Sequence, residues 1–421
     1  MIETMELFPG VLLRCHRDTR FKQGCLSFQI LRPMSREEAA LNALLPAVLL
    51  RGTGKHPDLT AITEHLDTLY GASVSTVVRR VGDYQTTGVY CGFMDDRFAM
   101  PGDRVLEPML EFLEELLLDC ALEDGGFQPD VVMSEKRNLI ATIQAELNDK
   151  RVYAMNRLLR AMGSRDSFGL PRLGELEQVA AIEPKQLYDH YRKILRESPI
   201  HIFYVGSGDL DLVARKLKAM LSRIERSYVN LPSQTAFRAG EESHQVECME
   251  VTQGKLCMGF TTSITNRCPE FPAMQLMNTI LGAGMTSKLF MTVREQMSLC
   301  YSIGSGYYGT KGLLTVSAGI DFDKEELVRQ EVLHQLELCC QGQITEGELD
   351  AAKEAVLSSL RATHDSPGAI EGYYTTGYLS GMGMTPAEYM AAVERVSLAD
   401  VIAAAKTVKL HSTYFLKGVS Q

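Results

Sequence analysis

The feature that most constrains the fold of this 421-residue chain is an internal repeat. Predicted strands and helices follow one another in the same order in the two halves of the sequence. The offset is 230 residues from Gly24 to Gly254 and 212 residues from Ile200 to Ser412, and small loop insertions produce such a drift. The matched segments are first strands at Gly24 and Gly254, helices 37–51 and 271–281, hairpins 72–80/85–93 and 300–308/312–320, long helices 131–146 and 348–362, helices 184–196 and 397–406, and closing strands 200–206 and 412–418.

The repeat predicts an α+β fold built from two homologous units of about 210 residues. Each unit is expected to pack helices on an antiparallel or mixed sheet, because helical and strand patterns are interleaved. The segment 227–245 is rich in Pro, Ser, Gly, Glu and Gln and shows little periodicity, which is typical of a linker. The expected domains are therefore 1–226 and 246–421, joined by 227–245.

Composition excludes several classes of partner. The chain has 43 Lys and Arg against 53 Asp and Glu, a net charge of −10, and no basic stripe that would follow nucleic-acid phosphates. The longest apolar stretch, 39–50, contains Asn42 and Pro46 and is too short to cross a membrane. No signal peptide is recognisable, and the ten cysteines form no Cys-x-x-Cys pair. We therefore expect a cytoplasmic protein with no nucleic-acid or membrane partner.

One stretch in the second half combines glycines with two hydrogen-bond donors. Gly282 and Gly284 are predicted to end one helix and to allow a tight turn. The next helix carries Arg294 and ends near Ser298, and Tyr301 begins a strand. A guanidinium and a phenol at such a junction are suited to bind a peptide carbonyl or an oxyanion. On the pattern alone, a surface arginine and a half-buried tyrosine remain the simpler alternative.

This stretch resembles the second-half signature of the insulinase/pitrilysin-type peptidases. That signature is Gly-Gly-Gly-x-Ser-Ser-Arg-Leu-Phe, followed by Arg-Glu-x-x-Gly-Leu-x-Tyr. This sequence departs from it at Ala283, Lys288 and Ser298. The duplicated α+β halves also look like this family, whose members form half of a clam-shell chamber. The matching residues are Ser287, Leu289, Phe290, Arg294, Glu295, Leu299 and Tyr301.

Active members of that family carry the inverted zinc motif His-x-x-Glu-His on the first-half helix, shortly before Leu-Phe-Lys-Gly-Thr. Here the flank survives as residues 49–53, but the two histidine positions are Ala43 and Ala47 and the general-base position is Pro46. The third ligand, a glutamate, aligns with about Thr142, between Glu135 and Glu146. A methyl group cannot bind zinc, so the resemblance implies that this chain holds no catalytic metal.

The loss of the zinc motif beside an intact Arg–Tyr pair resembles the zinc-free bacterial subunits of the family. The resemblance implies a heterodimer in which a homologous partner carries zinc and this chain supplies Arg294 and Tyr301 to an extended peptide substrate. Two alternatives stay open: a structural or peptide-binding scaffold without a role in proteolysis, and a homodimer when the chain is isolated. The peptide substrate is not predicted.

Overall fold

The computed structural model describes residues 2–231 and 236–419, and these form two compact units, each with its own large sheet. The first unit comprises Met1–Gln144, Pro171–Ser233 and His364–Thr376, and the second comprises Ala145–Leu170, Gln234–Thr363 and Gly377–Gln421. Each unit therefore includes one segment from the opposite half of the sequence. This division differs from the contiguous domains expected from the repeat.

The strands of both sheets follow the order predicted by the repeat. In the first unit they are β1 (Ile2–Phe8), β2 (Val11–Arg17), β3 (Gln23–Pro33), β4 (Ser73–Val81), β5 (Tyr84–Met94), the short pair β6 (Leu122–Glu123) and β7 (Gly126–Phe127), and β8 (Ile200–Gly206). In the second they are β9 (Ser243–Met249), β10 (Gly254–Thr261), β11 (Cys300–Tyr308), β12 (Leu313–Ile320) and β13 (Lys409–Gly418).

Helices lie between these strands and account for the long amphipathic segments of the sequence. They are α1 (Ala39–Leu49), α2 (Leu59–Thr68), α3 (Leu106–Leu118), α4 (Pro129–Asn148), α5 (Lys150–Met162), α6 (Leu176–Ala180), α7 (Pro184–Glu197), α8 (Leu210–Ser222), α9 (Phe271–Leu281), α10 (Glu325–Cys340), α11 (Glu346–Ala362), α12 (Pro367–Ser380), α13 (Pro386–Arg395) and α14 (Leu398–Ala405). A π-helix, Leu289–Gln296, precedes β11.

The two large sheets have the same topology, which confirms the predicted α+β repeat. The first is ordered β1-β2-β8-β3-β5-β4, and the second, written from its opposite edge, is β9-β13-β10-β12-β11. Matched strands occupy matched positions, and β1 is the extra edge strand. Each sheet contains one parallel pair, β2 with β8 and β9 with β13, among antiparallel neighbours.

Side chains alternate across the sheet of the first unit because successive strand residues point to opposite faces. Leu26, Phe28 and Ile30 of β3 are almost fully buried in the main core, together with apolar residues of α1 and α3. The intervening residues Ser27 and Gln29 are also buried, but on the other face of the sheet. That second face needs a cover, and the local sequence of the first half does not provide it.

The cover comes from the start of α12, which belongs to the second half of the sequence but to the first unit. Ile370 packs with Phe203 of β8, and Glu371 lies fully buried beside β3. The Glu371 carboxylate accepts hydrogen bonds from Ser27 Oγ at 2.8 Å and Gln29 Nε2 at 2.9 Å. A segment more than 340 residues away in sequence therefore completes this face.

The second unit receives α5 from the first half in the corresponding way. Ala154, Leu158 and Met162 recur every four residues and pack as one apolar stripe with Cys257 of β10 and with β13. Gly259 of β10 lies directly under this stripe, where a Cβ would stand 2.1 Å from Met162 Sδ. Because α5 and α12 follow matched helices of the repeat, equivalent helices complete the two sheets.

The predicted linker 227–245 is only partly a connection. Residues 232–235 lie outside the described residues, and β9 begins at Ser243, so the last three residues of the segment form a strand. Most β9 side chains are exposed, and the strand lies at the edge of the sheet. It therefore lacks the apolar alternation that would have revealed it.

Candidate functional site

Arg294 lies on a π-helix, which is rare in proteins and frequently found at functional sites. Met297 N donates to Thr292 O at 2.9 Å, the five-residue spacing of this helix type. The Arg294 guanidinium lies over the Phe290 ring, 4.6 Å from its centroid, and Nε is 3.4 Å from Glu295 Oε1. Arg294 is exposed, so the ring orients the guanidinium without removing it from solvent.

Tyr301 is the extra residue of a β-bulge on the edge strand β11. Cys300 pairs with Ile320 and Ser302 with Gly319, so Tyr301 has no partner of its own in β12. Bulges re-aim side chains and are frequent beside active sites. The Tyr301 side chain is 63% exposed, and its hydroxyl donates to Asp321 Oδ1 at 3.0 Å.

The charges around Tyr301 were not predicted from the sequence. The hydrogen bond to Asp321, and the negative charge of that carboxylate, raise the pKa of Tyr301. Lys324, whose Nζ is 2.8 Å from Asp321 Oδ2, together with Tyr301 lowers the pKa of Asp321. The phenol is therefore held as a neutral donor. Asp321 immediately follows β12, and only the pairing of β12 with β11 brings it to Tyr301.

Arg294 and Tyr301 are held on adjoining elements. Leu299 N donates to Val293 O at 2.9 Å, which ties the start of β11 back to the π-helix. Burial raises the pKa of the Cys300 thiol to about 11, while the nearby positive charges of Arg294 and Lys324 act in the opposite direction. Arg294 thus lies close enough to Cys300, the residue directly before Tyr301, to affect the pKa of its thiol.

The turn between Arg294 and Tyr301 contains one of the positions at which this chain departs from the family signature. Ser298 has φ +51°, in the left-handed region that favours glycine, and the signature has glycine at this position. A non-glycine residue there costs roughly 1–2 kcal/mol. The turn is kept in this chain at the expense of some strain.

The two predicted glycines have different roles. Gly282 caps α9 and is buried, and a Cβ on it would lie 2.7 Å from Ser305 Oγ of β11. Gly282 O also accepts from Ser305 N at 2.9 Å, so the glycine permits close contact between the helix end and the strand. Gly284 is exposed, and a Cβ there would meet nothing within 4 Å. Only Gly282 has a packing requirement.

The degenerate zinc-motif positions lie on α1 in the first unit. Ala43 and Pro46 are buried and Ala47 is partly exposed. The helix continues through Pro46, although proline has no N–H to donate to the carbonyl of Asn42. Thr87 Oγ1 of β5 donates to that carbonyl at 2.7 Å and replaces the missing bond. The helix is thus adapted to proline at the position of the general base.

The position predicted for the third ligand does not offer one either. Thr142 is exposed on α4, and its hydroxyl donates to Asn138 O at 2.9 Å in its own helix. The neighbouring Glu135 is buried and forms an ion pair with Arg51, just beyond α1. The residues at these positions do not fit a zinc ion.

One histidine pair that appears unrelated in sequence is brought together. The rings of His56 and His65 are 4.5 Å apart, and His56 Nδ1 is 2.7 Å from Glu115 Oε1. Even so, within 2–231 and 236–419 no group of three or more His, Cys, Asp or Glu is arranged to hold a metal ion. In the same residues no helix has the length and apolarity needed to cross a membrane.

Comparisons with known proteins identify the family. The model of the peptidase M16 inactive domain matches residues 181–356. The "Probable inactive metalloprotease YmfF" of Bacillus subtilis is 30% identical over 409 residues, 97% of this chain and 96% of YmfF. The chain belongs to the M16 peptidase family. The predicted insulinase/pitrilysin-type assignment is thereby confirmed.

The chain is also similar to other proteins of known sequence or structure. The "Uncharacterized zinc protease YmxG" of B. subtilis is 22% identical over 329 residues, 75% of this chain and 78% of YmxG. A conserved protein of Enterococcus faecalis V583 superposes with a TM-score of 0.93 at 24% identity, covering 100% of this chain and 99% of that one. An M16 inactive domain of Pseudomonas fluorescens gives 0.83 at 17% identity over 100% and 98%. These two structures show the fold alone.

Proposed function

We propose that this M16 chain is the zinc-free subunit of a heterodimeric zinc metallopeptidase. Arg294 and Tyr301 bind the backbone of an extended peptide at the zinc site of a homologous partner. The single observation that carries the proposal is the local construction of this pair: a π-helix orients Arg294, and a bulge turns Tyr301 out of an edge strand. The zinc-motif positions, by contrast, hold no ligand atoms.

The chemistry follows from the two donors. Arg294 presents a fixed fork of N–H groups that suits a carbonyl oxygen as it becomes negative. Tyr301 donates one O–H, which in the free chain is held by Asp321. Binding a carbonyl therefore requires Tyr301 to leave Asp321, and Lys324 stays to neutralise that carboxylate. The partner supplies the zinc and the general base, and this chain supplies only binding.

The test is peptide cleavage by this chain reconstituted with a zinc-bearing M16 chain that co-purifies with it. Arg294→Ala and Tyr301→Phe should each slow turnover about a hundredfold to a thousandfold, since loss of one such donor costs ~2.7–4 kcal/mol. Assembly, measured by light scattering after gel filtration, should be unchanged. Matched controls are Arg329→Ala, a partly exposed arginine paired with Glu326, and Tyr228→Phe. Full turnover in both site variants would refute the proposal.

A scaffold subunit without a role in proteolysis is the second candidate. It is favoured by one observation, the engagement of the Tyr301 hydroxyl with Asp321 in the free chain. The same experiment separates the two. A scaffold assembles with its partner, but no peptide is cleaved faster by the pair than by the partner alone.

A further inference from the structure

A cavity of about 820 Å³ lies at the start of α5, entirely within the second unit. It is formed by the first turn of α5, the loop between β9 and β10, and the beginning of β10. Its charged and amide-bearing walls include Asp149, Lys150, Arg151, Glu250, Gln253 and Lys255. None of these residues belongs to the Arg294–Tyr301 pair, and none lies in a motif recognised in the sequence.

The register of the sheet places this cavity beside Tyr301. Lys255 pairs with Gly319, and Gly319 pairs with Ser302, the residue after Tyr301. A Cβ on Gly319 would lie 2.9 Å from Gln253 Oε1 and 3.1 Å from Ser302 Oγ, so these groups share one face of the sheet. Neighbouring strands are about 4.8 Å apart, which puts the backbones of Lys255 and Ser302 roughly 10 Å apart. An extended peptide covers that distance in about three residues.

The cavity contains more cationic groups than acidic partners. Lys255 Nζ donates to the neutral amide of Gln253, and Lys150 Nζ donates to Leu147 O at 3.2 Å. Neither ammonium has an ion pair with a carboxylate within the described residues. The Asp149 carboxylate accepts hydrogen bonds from the backbone N–H groups of Arg151 and Val152 and pairs with the Arg151 guanidinium. Glu250 is exposed. Burial and the charge of Arg151 lower the pKa of Lys255, as expected for crowded cations.

We propose that this cavity binds a carboxylate of a peptide whose backbone is held at Arg294 and Tyr301. The inference rests on the proposed function and names its substrate class: peptides with an acidic side chain, or a terminal carboxylate, about three residues from the bound carbonyl. The carboxylate accepts hydrogen bonds from Lys255 and Lys150.

The experiment measures fluorescence anisotropy of labelled ten-residue peptides with the full chain at low salt. One peptide carries Glu at three positions and a matched peptide carries Gln there, and each is made with a free and an amidated C-terminus. Lys255→Gln and Lys150→Gln remove the cations, Lys255→Arg keeps one, and Lys406→Gln is a matched exposed lysine elsewhere in the second unit. Inorganic phosphate is added as a competing anion.

Tighter binding of the Glu peptide, weakened about threefold to tenfold by Lys255→Gln but not by Lys255→Arg or Lys406→Gln, supports the inference. A preference that depends only on the free C-terminus supports it too, and assigns the carboxylate to the chain end. Equal binding of all four peptides refutes the inference, as does a preference that survives both neutral variants. Competition by phosphate that Lys255→Gln does not change also refutes it. The cleavage assay of the Arg294 and Tyr301 variants tests the proposed function separately.

Discussion

Replacement of Glu371 should show how much the buried contacts of α12 contribute to the stability of the first unit. Oε1 accepts from Ser27, Gln29 and Thr375, the last at 3.1 Å. Arg79 Nη1 donates to Oε1 at 3.2 Å and to Oε2 at 3.1 Å. Glu371→Ala removes every acceptor and leaves buried donors on β3. Breaking a buried, paired charge in this way costs about 3–5 kcal/mol.

Glu371→Gln is the informative partner variant. A glutamine can keep Oε1, which accepts from Ser27, Gln29 and Thr375 and from Arg79 Nη1 at 3.2 Å. It loses the charge and the second bond from Arg79, whose side chain is 36% exposed. Water can solvate that guanidinium, so we expect a cost of about 1–2 kcal/mol. The matched surface control is Glu354→Ala, which breaks an exposed pair with Arg361 and should cost less than about 0.5 kcal/mol.

Urea unfolding measures these costs. The chain contains no tryptophan, so far-UV circular dichroism is the signal, with amide hydrogen exchange of β3 as the local readout. For an m-value of about 3 kcal/mol/M, Glu371→Ala lowers the midpoint of the first unit by about 1–1.7 M. Equal midpoints for the alanine and glutamine variants would refute this account, because the shared oxygen would then carry no stability.

Two further predictions concern α1. Thr87→Val should cost about 1–3 kcal/mol, because it leaves the Asn42 carbonyl without a donor, and Thr87→Ser should not. In the Pro46→Ala variant the amide of residue 46 can donate to the Asn42 carbonyl, so adding Thr87→Val should change the free energy of unfolding very little. If urea unfolding shows that the effects of the two substitutions simply add, the prediction is wrong. His190 Nε2 donates to Asn42 Oδ1 at 2.8 Å, and burial lowers the pKa of His190 from its usual 6.5 to about 4. The neutral, buried histidine contributes about 3 kcal/mol to the free energy of unfolding above pH 6.5, and this contribution is lost as the pH falls through 4. His190→Gln should therefore make the free energy of unfolding less dependent on pH between these values. An NMR titration midpoint near 6.5 for His190 would contradict the lowered pKa.

Elements with strong local patterns could be predicted closely from the sequence. The limits of β8, β11 and α9 agree with the residues expected from alternation, helical periodicity and glycine punctuation. The repeat predicted the order along the chain of the strands that it matched, because each of them has a counterpart at a nearly constant offset. The motif also placed Arg294 and Tyr301 on adjoining elements.

The remainder depended on contacts that a local pattern does not encode. The apolar stripe of α5 shows that the helix packs on a sheet, but not on which sheet. The bulge at Tyr301 depends on the register between β11 and β12, which the local pattern of β11 does not encode. Asp321 and Lys255 reach the candidate site only through strand pairing. β9 shows no apolar alternation because its side chains are exposed or only partly buried.

The crossed origin of α5 and α12 has a consequence for the synthesis of this protein on the ribosome. Residues up to 226 can form the first sheet, but its buried polar face stays open until about residue 376 has been made. Two polypeptides separated between 226 and 243 would each carry a helix that the other sheet requires. Neither would be complete alone, and mixing them should restore both units. The two halves therefore match in topology, yet each depends on a segment of the other to complete its sheet.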